Sequence, residues 1–336
     1  MKGWKLTKPL TLTEQEITVK EKTNKTKVKV TKALLTLSDV LNFSNEESNN
    51  MVLGSYGIGI VSEVNSNLFG IEKGSHVYIE PNHPCGECFN CKNDEQIKCS
   101  NMQTAGEDYN GFLSDFVMAD PSSLYLLPNS VSNFSALFIS HISLAISVID
   151  ELGIQKGDYV SIIGGNNFAN ILTQLLIYYQ AVPILATLNE EDYQIAKESG
   201  IYYVLGPEDS WQKEVSSITG GRMTKFVVYV SDCNIPTNKA FALASYNAGI
   251  AFTGTSYKNL SLPTAQAMKK QLDIHFINSG YGNTATSINL IANKALDLSH
   301  LKLDSTTFDN VPNTLHSMLK NLEENDKIYE TIVDLI

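Results

Sequence analysis

From Trp4 to about Leu127 the apolar positions fall in short runs divided by turn residues: KVKVTKALLTL, GIGIVSEVNS, GSHVYIEP, GFLSDFVMAD and SLYLLP. In the first run Lys27, Val28, Lys29 and Val30 alternate, the period-two pattern of a strand with one face in a core. Successive segments of this kind predict an all-β barrel or sandwich. After about Pro128 the period changes. NFSALFISHISLAISVIDELGI places its apolar residues at helical spacing, with Ser132 or Asn133 as N-cap. Then β-rich runs and helical patterns take turns: GDYVSIIGG and NNFANILTQLLIYYQ, VPILATL and NEEDYQIAKESG, YYVLG and SWQKEVSSITG, KFVVYVSD and NKAFALASYNAG, with IAFTGT closing the series. Continuous apolar strands alternating with helices predict a parallel sheet covered on both faces, so the second half is a doubly wound α/β domain. Beyond His275 the alternation stops, and a helix, a short strand and another helix are expected to pack back on the first domain.

The chain length of 336 residues suits two domains, and 43% apolar with 18% charged residues suits a globular protein. No apolar run reaches the roughly 18 to 20 residues that span a bilayer. The first residues lack the apolar core and small-residue cleavage site of a secretory signal, so a cytoplasmic location is expected. A net charge of −11 disfavours nucleic acid and anionic lipid as partners, because both need clustered cations. The basic stretch Lys20 to Lys32 is interleaved with Val and Thr and reads as the solvent face of a strand.

Four of the five cysteines lie close together. Cys85, Cys88, Cys91 and Cys99, spaced C-x2-C-x2-C-x7-C, offer four soft ligands in one loop, the set that suits one tetrahedral Zn²⁺. Four thiolates leave no coordination position for water or substrate, so such an ion is structural. Disulfides are disfavoured in a cytoplasmic chain, and the spacing differs from the common ferredoxin runs. Cys233, alone after KFVVYV, reads as a small buried hydrophobe.

The cluster stands in GIEKGSHVYIEPNHPCGECFNCKNDEQIKCSNM, followed by GFLSDFVMADPSSLYLLPNSVS. In wording and order this resembles the medium-chain, zinc-containing alcohol dehydrogenase superfamily, on its polyol and threonine dehydrogenase side. The resemblance implies a GroES-like catalytic domain over residues 1–145 and 285–336, with a structural zinc lobe at 83–100, and a Rossmann-like cofactor domain over 146–284. It also marks where a catalytic zinc would be bound. Thr36 stands at the first ligand position, Ser55 and Tyr56 where a histidine and its supporting glutamate belong, and Ser140 is the nearest match to a third ligand. Hydroxyls do not bind Zn²⁺ tightly, so a catalytic zinc is expected to be absent. Ser38 and Asp39 match positions that relay a proton and orient the site; Leu41 replaces a relay histidine.

By the same resemblance VSIIGGNNFANIL is the dinucleotide loop, with Gly164, Asn166 and Ala169 at the three fingerprint positions and Gly165 between the first two. Thr187 stands where a ribose-binding acid should end the second strand, which leaves NAD and NADP both open. The implied activity is that of an NAD(P)-dependent oxidoreductase acting on a small alcohol, carbonyl or conjugated substrate, with Thr36, Ser38, Ser55 and Tyr56 as hydrogen-bond donors. The alternative is a non-catalytic or regulatory relative that keeps the fold and the structural zinc. A homodimer or homotetramer is implied, formed through the region Ile274 to Gly282.

Overall fold

The computed structural model describes residues 2–17, 25–46, 50–64, 70–231, 233–255, 259–325 and 327–335. Lys20 and Lys22 of the basic stretch lie outside them. The chain forms two compact units, Met1–Ser140 with Thr284–Ala292 and Lys302–Ile336, and His141–Asn283 with Asn293–Leu301.

The first unit is built on a seven-stranded sheet. Its path runs Asp304–Thr307, Thr331–Asp334, Thr26–Leu35, Tyr56–Glu63, His76–Ile79, Leu124–Leu126, and Phe116–Ala119 pairs with Thr26–Leu35 off this path. Thr26–Leu35 organises it: Val28 and Val30 are fully buried, and the alternation gives way to a continuous buried run from Ala33 to Leu35. That second part is enclosed because Thr331–Asp334, from the far end of the chain, pairs antiparallel with Lys32–Leu35 on one edge while Tyr56–Glu63 pairs on the other. Gly59 permits the second pairing, since a Cβ there would lie 2.4 Å from the Lys29 carbonyl oxygen. The helix Leu37–Ser44 follows the long strand at once and carries Phe43 against His316 of the helix Val311–Asn325.

In the second unit six parallel strands lie in the order Val204–Leu205, Val182–Ala186, Tyr159–Ile163, Thr224–Val230, Ala244–Thr253, Asp273–Ile277. Counted along this unit the order is 3-2-1-4-5-6, that of a dinucleotide-binding doubly wound sheet. Ile163, Ile184, Val227, Tyr229, Ile250 and Phe252 from the strands share one buried core with Val215 and Phe241 from the helices.

Two expectations are corrected here. The helix expected over NKAFALASYNAG ends at Leu243, and Ala244 already belongs to a strand. Lys270 stops it: its ammonium donates to the carbonyls of Phe241 at 2.9 Å and Ala244 at 2.6 Å, groups that a continuing helix would need for itself. Nor does the series close at IAFTGT, because the helix Thr264–Lys270 leads into a sixth strand, Asp273–Ile277. That strand lies at the sheet edge and exposes Asp273 and Phe276, so it lacks the continuous apolar run by which the inner strands announce themselves.

Candidate functional site

The four sulfurs of Cys85, Cys88, Cys91 and Cys99 lie within 4.8 Å of one another. Tetrahedral bonds of about 2.3 Å set neighbouring sulfurs about 3.8 Å apart; here Cys85 and Cys99 are 3.5 Å apart, and Cys88 and Cys99 3.9 Å. These separations far exceed the disulfide bond length of about 2.05 Å, and none of the five cysteines forms a disulfide. Backbone geometry supports the set. Gly86 turns with φ +72°, and the N–H groups of Cys85, Cys88 and Cys91 point at the sulfurs of Cys99, Cys85 and Cys88 at 3.3, 3.4 and 3.5 Å. Donors aimed at sulfur favour thiolate, the form that holds a metal, so the cluster fits one closed zinc site.

A second polar assembly starts at Thr36, the N-cap of Leu37–Ser44. Asp39, in the first turn of that helix, is fully buried, and both of its carboxylate oxygens are used. Oδ2 accepts from Thr36 N at 2.9 Å and Thr36 Oγ1 at 3.1 Å; Oδ1 accepts from Gly54 N at 2.9 Å and Ser55 Oγ at 3.3 Å. Burial raises the Asp39 pKa above the ordinary aspartate value, and these four bonds oppose the rise. Ser38 is half-buried one residue before it. The third position, Ser140, meets the hydroxyl of the buried Tyr78 in a hydrogen bond. Thr36, Ser55 and Ser140 are therefore all held by partners inside this unit.

Around them the field is acidic. Burial, then Glu330, Asp39, Glu80 and Glu107, push the Tyr56 phenol well above its usual range, and burial with Glu80 does the same to Tyr78. Glu80 is itself buried: Oε2 accepts from Thr284 Oγ1 at 2.5 Å, and Oε1 accepts from Asn82 N at 3.3 Å and Asn82 Nδ2 at 3.1 Å. Its pKa is raised by burial against these bonds.

In the second unit the loop after Tyr159–Ile163 shows why its glycines are there. Gly164 has φ +144°, and a Cβ on it would lie 3.0 Å from Val230 Cβ. On Gly165 a Cβ would lie 2.5 Å from both Cβ and Oδ2 of Asp192 and 2.6 Å from Thr187 Oγ1. Asn166 turns its side chain back to cap the helix Asn167–Tyr178, its Oδ1 accepting from Ala169 N at 2.9 Å. Ala169, fully buried, lies where small size lets helix meet strand. Thr187 is also buried, its Oγ1 accepting from Asn189 N at 3.1 Å. A strand and a tight glycine turn leading into a helix N-terminus have the shape of a dinucleotide pyrophosphate loop, with the Ala169 N–H of that terminus taken by Asn166 Oδ1.

Residues 22–129 match the alcohol dehydrogenase GroES-like domain family. Over 279 residues, 82% of each chain, the sequence is 23% identical to an uncharacterized zinc-type alcohol dehydrogenase-like protein of Haemophilus influenzae. Residues 22–129 thus belong to the alcohol dehydrogenase GroES-like domain family, and the matches together support the medium-chain, zinc-containing alcohol dehydrogenase superfamily. The fold of the chain is shared with an Escherichia coli oxidoreductase/dehydrogenase of unknown specificity, at TM-score 0.88 and 18% identity over 100% of this chain and 99% of that one. A second solved structure, an alcohol dehydrogenase of Escherichia coli CFT073 complexed with NADH, aligns at TM-score 0.84 and 21% identity over 100% and 99%.

The structure brings Ser38, Asp39, Ser55 and Tyr56 into one neighbourhood and Gly164, Gly165, Asn166, Ala169 and Thr187 into another. Sequence reasoning left Tyr78, Glu80, Thr284 and Asp192 without a role. Glu80 had a signal, a carboxylate directly after the apolar run HVYI; Thr284 and Asp192 are distant in sequence from what they touch and had none.

Proposed function

We propose that the protein is an NAD(P)-dependent oxidoreductase that acts on a small alcohol, carbonyl or conjugated substrate without a catalytic zinc, and that the cysteine cluster holds one structural Zn²⁺. The observation that carries the proposal is the state of Thr36, Ser55 and Ser140: each is a hydroxyl bonded to Asp39 or Tyr78, and none offers the thiolate, imidazole or carboxylate that Zn²⁺ requires. The Asp39 carboxylate is no substitute ligand, because four donors already fill both oxygens. The 3-2-1-4-5-6 strand order and the tight turn at Gly164 and Gly165 support the dinucleotide part of the reading.

When bound, the nicotinamide supplies or accepts the hydride. The chain must then hold and polarise the substrate oxygen. Tyr56 suits this as a neutral donor: a phenol pushed above its usual range keeps its proton at physiological pH, so it donates a hydrogen bond and does not act as a base. Asp39 is a positioning residue that ties Thr36 at the start of the Leu37–Ser44 helix to Gly54 and Ser55 beside Tyr56. A homodimer or homotetramer through the edge strand Asp273–Ile277 is proposed from Phe276, which is 73% exposed. Among the described residues no helix is long and apolar enough to cross a membrane, and free, closely spaced thiols suit the reducing cytoplasm proposed for it.

The test combines binding and turnover. Purified protein should quench or transfer fluorescence with NADH or NADPH, and Tyr56→Phe should keep that binding while losing turnover in a screen of small polyols, aldehydes and enones. If neither dinucleotide shifts the melting temperature or gives energy transfer, the oxidoreductase reading falls and the non-catalytic one replaces it.

A further inference from the structure

Of the three hydroxyls at the positions where a catalytic zinc would be bound, two have committed their protons. Thr36 Oγ1 donates to Asp39 Oδ2 at 3.1 Å, and Ser55 Oγ donates to Asp39 Oδ1 at 3.3 Å. A hydroxyl has one proton to give, so neither can also donate to a substrate. Ser140 differs. It stands half-buried in the first turn of the helix Ile139–Leu152, and its Oγ meets the hydroxyl of Tyr78. Tyr78 is buried, and among the described residues Ser140 Oγ is the one acceptor within reach of its phenol proton. A buried O–H without an acceptor costs free energy, so the phenol donates and Ser140 accepts. Among the described residues no other group takes the Ser140 proton, which leaves it for a molecule outside the chain.

The sheet register brings this proton toward Tyr56. In the antiparallel pairing of Tyr56–Glu63 with His76–Ile79, Ile58 stands opposite Tyr78. Tyr56, two residues before Ile58, therefore shares the face of Tyr78 and is its diagonal neighbour, at a typical separation of about 7–8 Å. Resting on the oxidoreductase reading above, we infer that Ser140 is a second donor to the substrate oxygen beside Tyr56, and that Tyr78 is the positioning residue that frees and aims its proton. As the carbonyl carbon takes up hydride from the bound dinucleotide, the C=O electron pair moves onto oxygen, and water supplies the proton that completes the alcohol. Two neutral donors hold the charge while it develops, and both keep their own protons. Burial, with the charge of Glu80, holds the Tyr78 phenol in its neutral form, so it stays a donor to Ser140.

A bond that only pins the helix start to the strand would make the same contact, and double substitution in the full chain separates the two roles. Ser140→Ala should lower kcat about 100-fold for the best carbonyl substrate of the screen, the usual loss for one oxyanion donor, with the Kd for NADH or NADPH unchanged. It also strands the Tyr78 proton, so the melting temperature should fall. Tyr78→Phe combined with Ser140→Ala removes both partners: the melting temperature should return toward wild type while kcat stays about 100-fold down. Tyr78→Phe alone keeps the Ser140 proton without its aim and should lower kcat about tenfold. Ser140→Thr, which retains a hydroxyl, should keep more turnover than Ser140→Ala. Recovery of turnover together with stability in the double variant, or a kcat within about threefold of wild type in Ser140→Ala, overturns the donor role. So does a wild type that binds dinucleotide and reduces no carbonyl of the screen. Binding of neither dinucleotide to wild type overturns the oxidoreductase reading itself, and the donor role with it.

Discussion

Replacing Asp39 by asparagine isolates the hydrogen-bond logic at the start of the Leu37–Ser44 helix. Two of the four donors on the wild-type carboxylate are backbone N–H groups, Thr36 N on Oδ2 and Gly54 N on Oδ1, both at 2.9 Å. The other two are hydroxyls, which can rotate and accept a bond from a new amide. A backbone N–H cannot reverse. Asparagine has one acceptor oxygen, so in either flip one buried N–H faces an NH₂ group, at about 1–3 kcal/mol. Loss of the charge returns part of this, because burial already works against the carboxylate. The net expectation is a loss of about 2 kcal/mol, and about 3–5 kcal/mol for Asp39→Ala, which strands both N–H groups and opens a cavity.

Glu80→Gln is the matched control. Its partners are Asn82 on Oε1 and the rotatable hydroxyl of Thr284 on Oε2. Glutamine can accept from Asn82 with its oxygen and donate to Thr284 with its nitrogen, so no donor is stranded and, at a pH where Glu80 is still protonated, the change should stay within about 0.5 kcal/mol. Both variants are read by urea unfolding in a Trp211→Phe background. The chain has two tryptophans, and the remaining one, Trp4, donates to Phe308 O at 2.7 Å within the unit that contains Asp39 and Glu80. A change of less than about 0.5 kcal/mol in Asp39→Asn, or an equal loss in Glu80→Gln, would show that the distinction between fixed and rotatable donors does not govern this site.

Metal analysis of the purified protein should find about one zinc per chain, and Cys99→Ser should remove it; two ions per chain would refute a family site without its zinc. Glu80 has a raised folded-state pKa, so its favourable contribution is complete below the ordinary glutamate value and is lost as pH rises through the raised one. Wild type should therefore lose stability relative to Glu80→Gln as pH climbs from that ordinary value toward neutrality, and a pH-independent difference between the two would contradict the shift. Gly165→Ala forces a methyl to within 2.5 Å of Asp192 and should cost about 1–3 kcal/mol while weakening dinucleotide binding; an alanine variant with wild-type stability and binding would mean that Asp192 does not press on the loop.

What could be read from residue order alone follows physical range. The alternation at Lys27 to Val30 predicted its strand because each residue reports the face it occupies, and Ser132, one of the two expected caps, caps its helix by accepting from Ser135 N three residues on. The cysteine spacing is equally local, and it accords with four sulfurs that lie within 4.8 Å of one another. The misses are contacts across distance. Lys270 ends a helix whose last residue is Leu243, and a helical period cannot contain an ammonium from 27 residues away (270 − 243). Asp273–Ile277 was hidden because an edge strand need satisfy only one neighbour.

The hydroxyls at Thr36, Ser55 and Ser140 divide along the same line, and the division matters for how the site is understood. Their identity was plain in the chain, and alone it reads as the loss of three ligands. Their partners were not plain, and they change the meaning. A buried hydroxyl without a partner costs free energy, so a chain that merely lost its ligands would carry that penalty. Here Asp39 takes two of the three and Tyr78 the third. Asp39 also takes the backbone of Thr36 and Gly54, so the bonds that satisfy the hydroxyls also fix the helix start against the segment that leads to Tyr56. The polar groups at these positions are thus satisfied in two sets, Thr36 and Ser55 on Asp39 and Ser140 on Tyr78, and Tyr56 is a phenol that retains its proton in the field of nearby carboxylates. An arrangement of this kind suits polarisation of a substrate oxygen by neutral donors, which is what the proposed reading without a catalytic zinc asks of these hydroxyls.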